Sequence, residues 1–127
     1  DADFQVGSKA IVAGPGMGTD DEALDLLRMI ARAGTAPLLL DADAVTLLGR
    51  DPDIRILIGD RPLLLTPHPG ELSRVIDLST DEIIADPFGA ARQAAERFRC
   101  TVLLKGAPSL VAAPGRAACV IGARASK

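Results

Sequence analysis

Short, nearly continuous apolar runs alternate along this chain with segments of helical period, and each run ends in a loop rich in Gly, Pro or Asp. Residues 9–14, 37–41, 62–66 and 101–104 have strand length and carry apolar side chains on both sides of the pleat. That pattern marks strands buried on both faces, as in parallel sheets, rather than strands with one wet face. Parallel neighbours need crossovers, and the helical segments between the runs supply them. The expected fold is α/β: a mostly parallel central sheet in three layers, with helices on both faces. Right-handed crossovers place the loop after each strand at one edge. Ligands of such sheets bind outside the carboxyl ends of the strands.

The helical segments have readable ends. Thr19-Asp20-Asp21-Glu22 has the form of a capping box, Leu24, Leu27 and Ile30 follow at helical spacing, and Gly34 stands where a C′ glycine belongs. A helix is predicted over 19–33. A shorter helix over 42–48 closes at Gly49, and 54–58 fits strand or helix equally. After the turn at Pro67–Gly70, residues 71–76 read as helix. Ser79 and Glu82 form a second capping box, and Asp86-Pro87 opens a helix running to about Phe98. Residues 109–113 and 117–121 flank Pro114-Gly115-Arg116 as a hairpin. No linker, repeat or low-complexity tract interrupts the pattern, so residues 1–127 are expected to form one unit.

Composition removes several function classes. With 14 Lys+Arg against 17 Asp+Glu, the net charge of −3 offers no footprint for nucleic acid or an anionic membrane. Three Phe and no Tyr or Trp leave no platform for stacked bases. A hydrophobic content of 48% is incompatible with disorder. The apolar runs fall far short of the ~20 residues of a membrane span. Cys100 and Cys119 sit in or beside apolar runs and are expected to be buried thiols. The opening residues Asp1 to Gln5 lack the basic and apolar regions of a secretory signal. A soluble cytoplasmic protein is expected.

Four loops follow the four strands. In the first, Gly14-Pro15-Gly16-Met17-Gly18, three glycines free the backbone to present N–H groups to an anion at a helix start, although the same residues also make a plain tight turn. In the second, Asp41-Ala42-Asp43, Asp43 either caps the next helix or, with Asp41, meets sugar hydroxyls or a hydrated Mg²⁺. The third, Thr66-Pro67-His68-Pro69-Gly70-Glu71, holds the chain's single histidine between two prolines that restrict it. One His and one Glu do not make a zinc site. In the fourth, Lys105, Gly106, Ala107, Pro108 and Ser109 follow a buried strand. The lysine there either meets nucleotide phosphate or marks the solvent edge.

Together, Gly14 to Gly18, Leu40-Asp41-Ala42-Asp43-Ala44, Leu65 to Glu71 and Leu104-Lys105-Gly106-Ala107 resemble the ADP/ATP-dependent NAD(P)H-hydrate dehydratases of the ribokinase-like superfamily. Kinases of that superfamily tend to carry Asp-Pro in place of Asp41-Ala42 and Asn in place of His68, and both differences favour the dehydratases. The resemblance implies a hydro-lyase in which ADP or ATP phosphorylates the added hydroxyl of hydrated NAD(P)H (NAD(P)HX), after which phosphate leaves. It implies substrate contacts from Gly16, Gly18, Asp43, His68 and Glu71, nucleotide contacts from Lys105 to Ser109, and Mg²⁺ with the nucleotide. The family's Gly-x-Gly-Asp stretch, source of the expected catalytic Asp, is absent up to Lys127, so the resemblance is to the central part of a domain. Bare sheet edges and the family likeness lead to an expectation of homo-oligomers. The other readings are a ribokinase-like kinase of a small hydroxymethyl or sugar substrate, and a nucleotide-binding fragment without turnover.

Overall fold

In the computed structural model, which describes residues 10–121, six strands lie side by side in chain order. β1 (Ile11–Ala13), β2 (Leu38–Leu40), β3 (Leu63–Leu65) and β4 (Thr101–Leu104) are parallel, and β5 (Leu110–Ala112) and β6 (Cys119–Val120) add an antiparallel hairpin. The α/β class and the mostly parallel sheet match the sequence expectation.

Strand order fixes where the helices go. Right-handed crossovers that always step in the same direction leave every crossover on the same side of the sheet. Burial agrees: Leu38, Leu40, Leu63, Leu65, Val102 and Leu104 enter one core with Leu24, Leu27, Leu47, Leu48, Ile83 and Phe98 from the helices. The alternate row lies outside that core. Val12, Leu39, Leu64 and Thr101 are in register across it, as are Leu103, Val111 and Cys119, and Val12 is 59% exposed. The helices of residues 10–121 therefore cover one face only. The Leu-rich runs signal two apolar faces, and the second helical layer is not supplied by these residues.

The helices are α1 (Asp21–Arg32), α2 (Asp43–Arg50), α3 (Ile54–Ile58), α4 (Pro69–Leu72), α5 (Thr80–Ala85) and α6 (Pro87–Phe98). Three local expectations change. α1 is capped by Asp20, whose side chain accepts the Ala23 amide at 2.9 Å, so the carboxylate displaces the expected Thr19 box. Gly49 lies within α2; a Cβ there would stand 2.5 Å from the Arg74 carbonyl oxygen, so it serves close packing rather than helix termination. α4 starts earlier than expected and stops at Leu72, before tighter turns. The Ser79–Glu82 capping box and Pro87 at the start of α6 occur as expected. Residues 54–58 resolve as helix.

Arginines close two helix ends beneath the sheet. Arg61, only 7% exposed, donates to the carbonyls of Ile30, Ala31, Ala33 and Ala36 at 2.8–3.2 Å, gathering the end of α1. Arg55 does the same for α6 through Phe98 and Arg99. Cys100 is buried as expected, but Cys119 is exposed because the two-residue β6 turns it away from the core. Among the described residues no helix is long and apolar enough to cross a membrane.

Candidate functional site

The exits of β1 to β4 are stitched together beyond the strands themselves. Asp41 donates its amide to Ala13 O at 3.0 Å, Thr66 to Leu40 O at 3.1 Å, and Lys105 to Pro67 O at 2.9 Å. All four loops singled out by the sequence therefore arrive at one edge.

The first two loops touch closely. Gly14 has φ +136°, and a Cβ on it would lie 1.7 Å from Asp41 O, so only glycine permits this approach. Gly16 and Gly18 are exposed. The Gly18 amide donates to Asp43 Oδ2 at 2.8 Å. Asp43 thus does not cap α2: the N-cap is Ala42, with no side-chain bond, at φ 50° and ψ −122°. The carboxylate reaches back to the glycine loop and occupies an N–H that an anion would otherwise use.

His68 is exposed at the mouth of β3, while Thr66 and Pro67 beneath it are buried. Its Nδ1 accepts the Glu71 amide at 3.1 Å, and Glu71 Oε1 accepts the His68 amide at 3.1 Å. Glu71 Oε2 lies 3.3 Å from Nε2. Both oxygens of the nearly buried Glu71 therefore face His68, an imidazole version of a capping box.

Lys105 Nζ donates to Asp41 Oδ1 at 2.7 Å across the exit of β3. Burial alone pushes the Asp41 carboxyl up. The hydrogen bond and charge of Lys105, with the nearby Thr66 hydroxyl and the Ala42 amide, outweigh burial and hold it below the usual carboxylate range. The Ser109 hydroxyl accepts the Gly106 amide and donates to the Gly106 carbonyl, both at 3.1 Å, closing the fourth loop. Beside that loop a mostly apolar cavity of about 200 Å³ is lined by Pro69, Ile83, Ile84, Pro87, Ala107 and Pro108, with Lys105 and Gly106 at its wall. The glycine loop and His68 do not line it. A cavity of about 600 Å³ lies at the opposite edge around Arg55, Arg61 and Arg99, where the first two guanidiniums are engaged by helix carbonyls.

The sequence offered Asp41 only beside Asp43 and Gly14 only as one of three loop glycines, so the roles of Asp41 in holding Lys105 and of Gly14 in admitting the Asp41 carbonyl were missed. The pair Asp41/Asp43 was visible in sequence, but which carboxylate meets Lys105 depends on the parallel order of β2, β3 and β4. Among the described residues no three His, Cys, Asp or Glu side chains cluster as metal ligands.

The family model for NAD(P)H-hydrate dehydratase matches residues 5–126. The chain belongs to this family. Among its relatives, a bifunctional NAD(P)H-hydrate repair enzyme of Thermofilum pendens is 38% identical over 113 residues, covering 87% of this chain and 21% of that protein. An ADP-dependent (S)-NAD(P)H-hydrate dehydratase of Neisseria meningitidis is 40% identical over 107 residues, covering 83% and 36%. The chain thus spans between about a fifth and a third of these relatives' length. The Bacillus subtilis ADP/ATP-dependent NAD(P)H-hydrate dehydratase, co-crystallised with ATP/Mg²⁺, superposes with a TM-score of 0.69 at 24% identity, covering 87% of this chain and 38% of that one. A ribokinase-like superfamily protein of Enterococcus faecalis gives 0.66 at 21% identity, with 92% and 40% covered. The fold of the family's members is therefore the fold of this segment.

Proposed function

We propose that residues 1–127 form part of one ribokinase-like domain that restores NAD(P)H from its hydrate at the expense of ADP or ATP. The reading rests above all on the family match over residues 5–126, whose four loop motifs reach one sheet edge. In the reaction the nucleotide's terminal phosphoryl group replaces the proton of the added hydroxyl, and the C–O bond to phosphate then breaks while the adjacent ring carbon gives up a proton, re-forming the double bond. Positioning and charge neutralisation dominate such transfers. Lys105 to Ser109 bind the nucleotide: the ammonium meets phosphate, and the neighbouring apolar cavity suits the flat base. Gly16, Gly18, Asp43 and His68, with Glu71 holding the imidazole, bind the hydrated dinucleotide. Asp43 already occupies Gly18 N–H, which suits this loop to hydroxyls more than to phosphate.

Mg²⁺ usually binds through one or two carboxylates together with substrate phosphates. At this edge Asp41 already holds the Lys105 ammonium and Asp43 the Gly18 amide, so the side chains present fit an ion carried on the nucleotide phosphates rather than one caged by protein. Bound there, it would neutralise phosphate charge. The protein acts in the cytoplasm, and copies associate through bare sheet edges, formed among the described residues by β1 and β6.

Purified NADHX with ADP and Mg²⁺ tests the reading: recovery of NADH absorbance supports it. ATP-dependent phosphorylation of a stable alcohol without that recovery would establish a kinase instead. Nucleotide binding with no turnover would leave a binding fragment.

A further inference from the structure

The Lys105 ammonium does not lie free over the nucleotide cavity. It reaches across the mouth of β3 to Asp41 at the end of β2 and is held there at 2.7 Å. That place is between the apolar cavity on the Pro108 side and the glycine loop, whose Gly18 amide is held by Asp43, two residues from Asp41. One carboxylate contact leaves two of the three ammonium donors for a ligand.

We infer that Asp41 is a positioning residue. It sets the Lys105 ammonium at the junction of the two subsites, so that the lysine meets the distal phosphates of a bound nucleotide and not the one next to the ribose. The inference rests on the nucleotide reading of Lys105 to Ser109. The Lys105 side chain is 44% exposed and flexible, so without Asp41 it samples many rotamers and loses this placement. Thr66, buried below the pair with its hydroxyl turned to Leu40 O at 3.4 Å, lies close enough to Asp41 to favour the carboxylate as well. Asp41 acts only through Lys105 and does not touch the phosphates.

The test is calorimetric titration of AMP, ADP and ATP into the chain and its D41A, D41N, K105A and D41A/K105A variants. A salt concentration of about 0.3 M damps the carboxylate's own repulsion of phosphate. D41A is expected to weaken ATP and ADP five- to twentyfold and AMP less than twofold. D41N, which keeps an acceptor for the ammonium, falls between D41A and the parent chain. In the K105A background D41A causes no further weakening, an outcome that general structural damage would not produce. Unchanged ATP affinity in D41A, or equal weakening with and without Lys105, overturns the inference while leaving nucleotide binding in place. A parent chain that binds none of the three nucleotides overturns the nucleotide reading itself, and this inference with it.

Discussion

His68 and Glu71 cap each other: imidazole Nδ1 takes the Glu71 amide while Glu71 Oε1 takes the His68 amide, each at 3.1 Å. An imidazole accepting at Nδ1 carries its proton on Nε2, which lies 3.3 Å from Glu71 Oε2, so the carboxylate fixes the orientation of a ring that is half exposed. Asn or Ser would cap this turn at least as well, so capping alone gives no reason for a histidine here. His68→Ala should cost about 1 kcal/mol of stability through the lost cap and should weaken NADHX binding, with ADP binding nearly intact. His68→Asn should regain the stability and not the hydrate affinity. Urea denaturation and equilibrium binding read the two effects separately, and recovery of both by asparagine would remove the ring from the substrate site.

Asp41 gives the chain an acid-sensitive tie. Its carboxyl is held below its ordinary value in the folded protein, so the ionised form is bound more tightly there than in the unfolded chain. That stabilisation is fully present above the unfolded value of about 3.9 and is lost as pH falls through the lower folded value. Both partners are partly exposed, so the pair is worth about 0.5–1 kcal/mol. Asp41→Asn should therefore be slightly less stable than the parent chain at pH 7, and the gap should close as the pH falls below about 4. Chemical denaturation from pH 7 to pH 3 tests this; a gap that stays constant would mean the carboxylate's charge contributes nothing.

The parallel core and its loops were legible because each strand is a short Leu- or Val-rich run closed by turn residues, as at Leu63–Leu65 before Thr66-Pro67. Helix starts were legible where the box residue outranks its neighbour as a cap, as Ser79 does beside Thr80. They were not where Thr19 and Asp20 stand side by side and the charged cap prevails. The single helical layer was not legible, since Leu38, Leu39 and Leu40 read alike while strand order decides that only the first and third enter the core. At the candidate site, residue types were visible and their partners were not. Asp43's reach to Gly18 requires Ala42 at φ 50°, a conformation that no local propensity favours.

The two thiols should differ sharply. Burial pushes the Cys100 thiol up to about 12, against a small opposing pull from Arg55, whereas Cys119 faces solvent. Thiolate is the reactive form. At pH 8 a disulfide reagent should modify Cys119 in the native chain and reach Cys100 only after denaturation, as read by mass spectrometry of the labelled peptides. Rapid native labelling of Cys100 would show that its end of β4 opens.

Arg61 is the residue on which the lower edge of the sheet depends. Its guanidinium joins Ile30, Ala31 and Ala33 at the end of α1 to Ala36 just before β2, where the last turn would otherwise leave carbonyls without donors. A cation there also opposes the negative end of the helix dipole. Removing it takes the guanidinium donor from one buried carbonyl, Ala31, and three partly buried ones, so Arg61→Ala should lose about 1–3 kcal/mol. Arg61→Lys keeps the charge without the planar fork that reaches both segments, and should restore less than half of that loss. Both follow from urea denaturation midpoints. Because α1 and β2 connect this edge to the site only through the core, ADP affinity of the folded fraction should not change. A loss below about 0.5 kcal/mol, the size of an ordinary surface substitution, would mean that water serves those carbonyls as well as the arginine does.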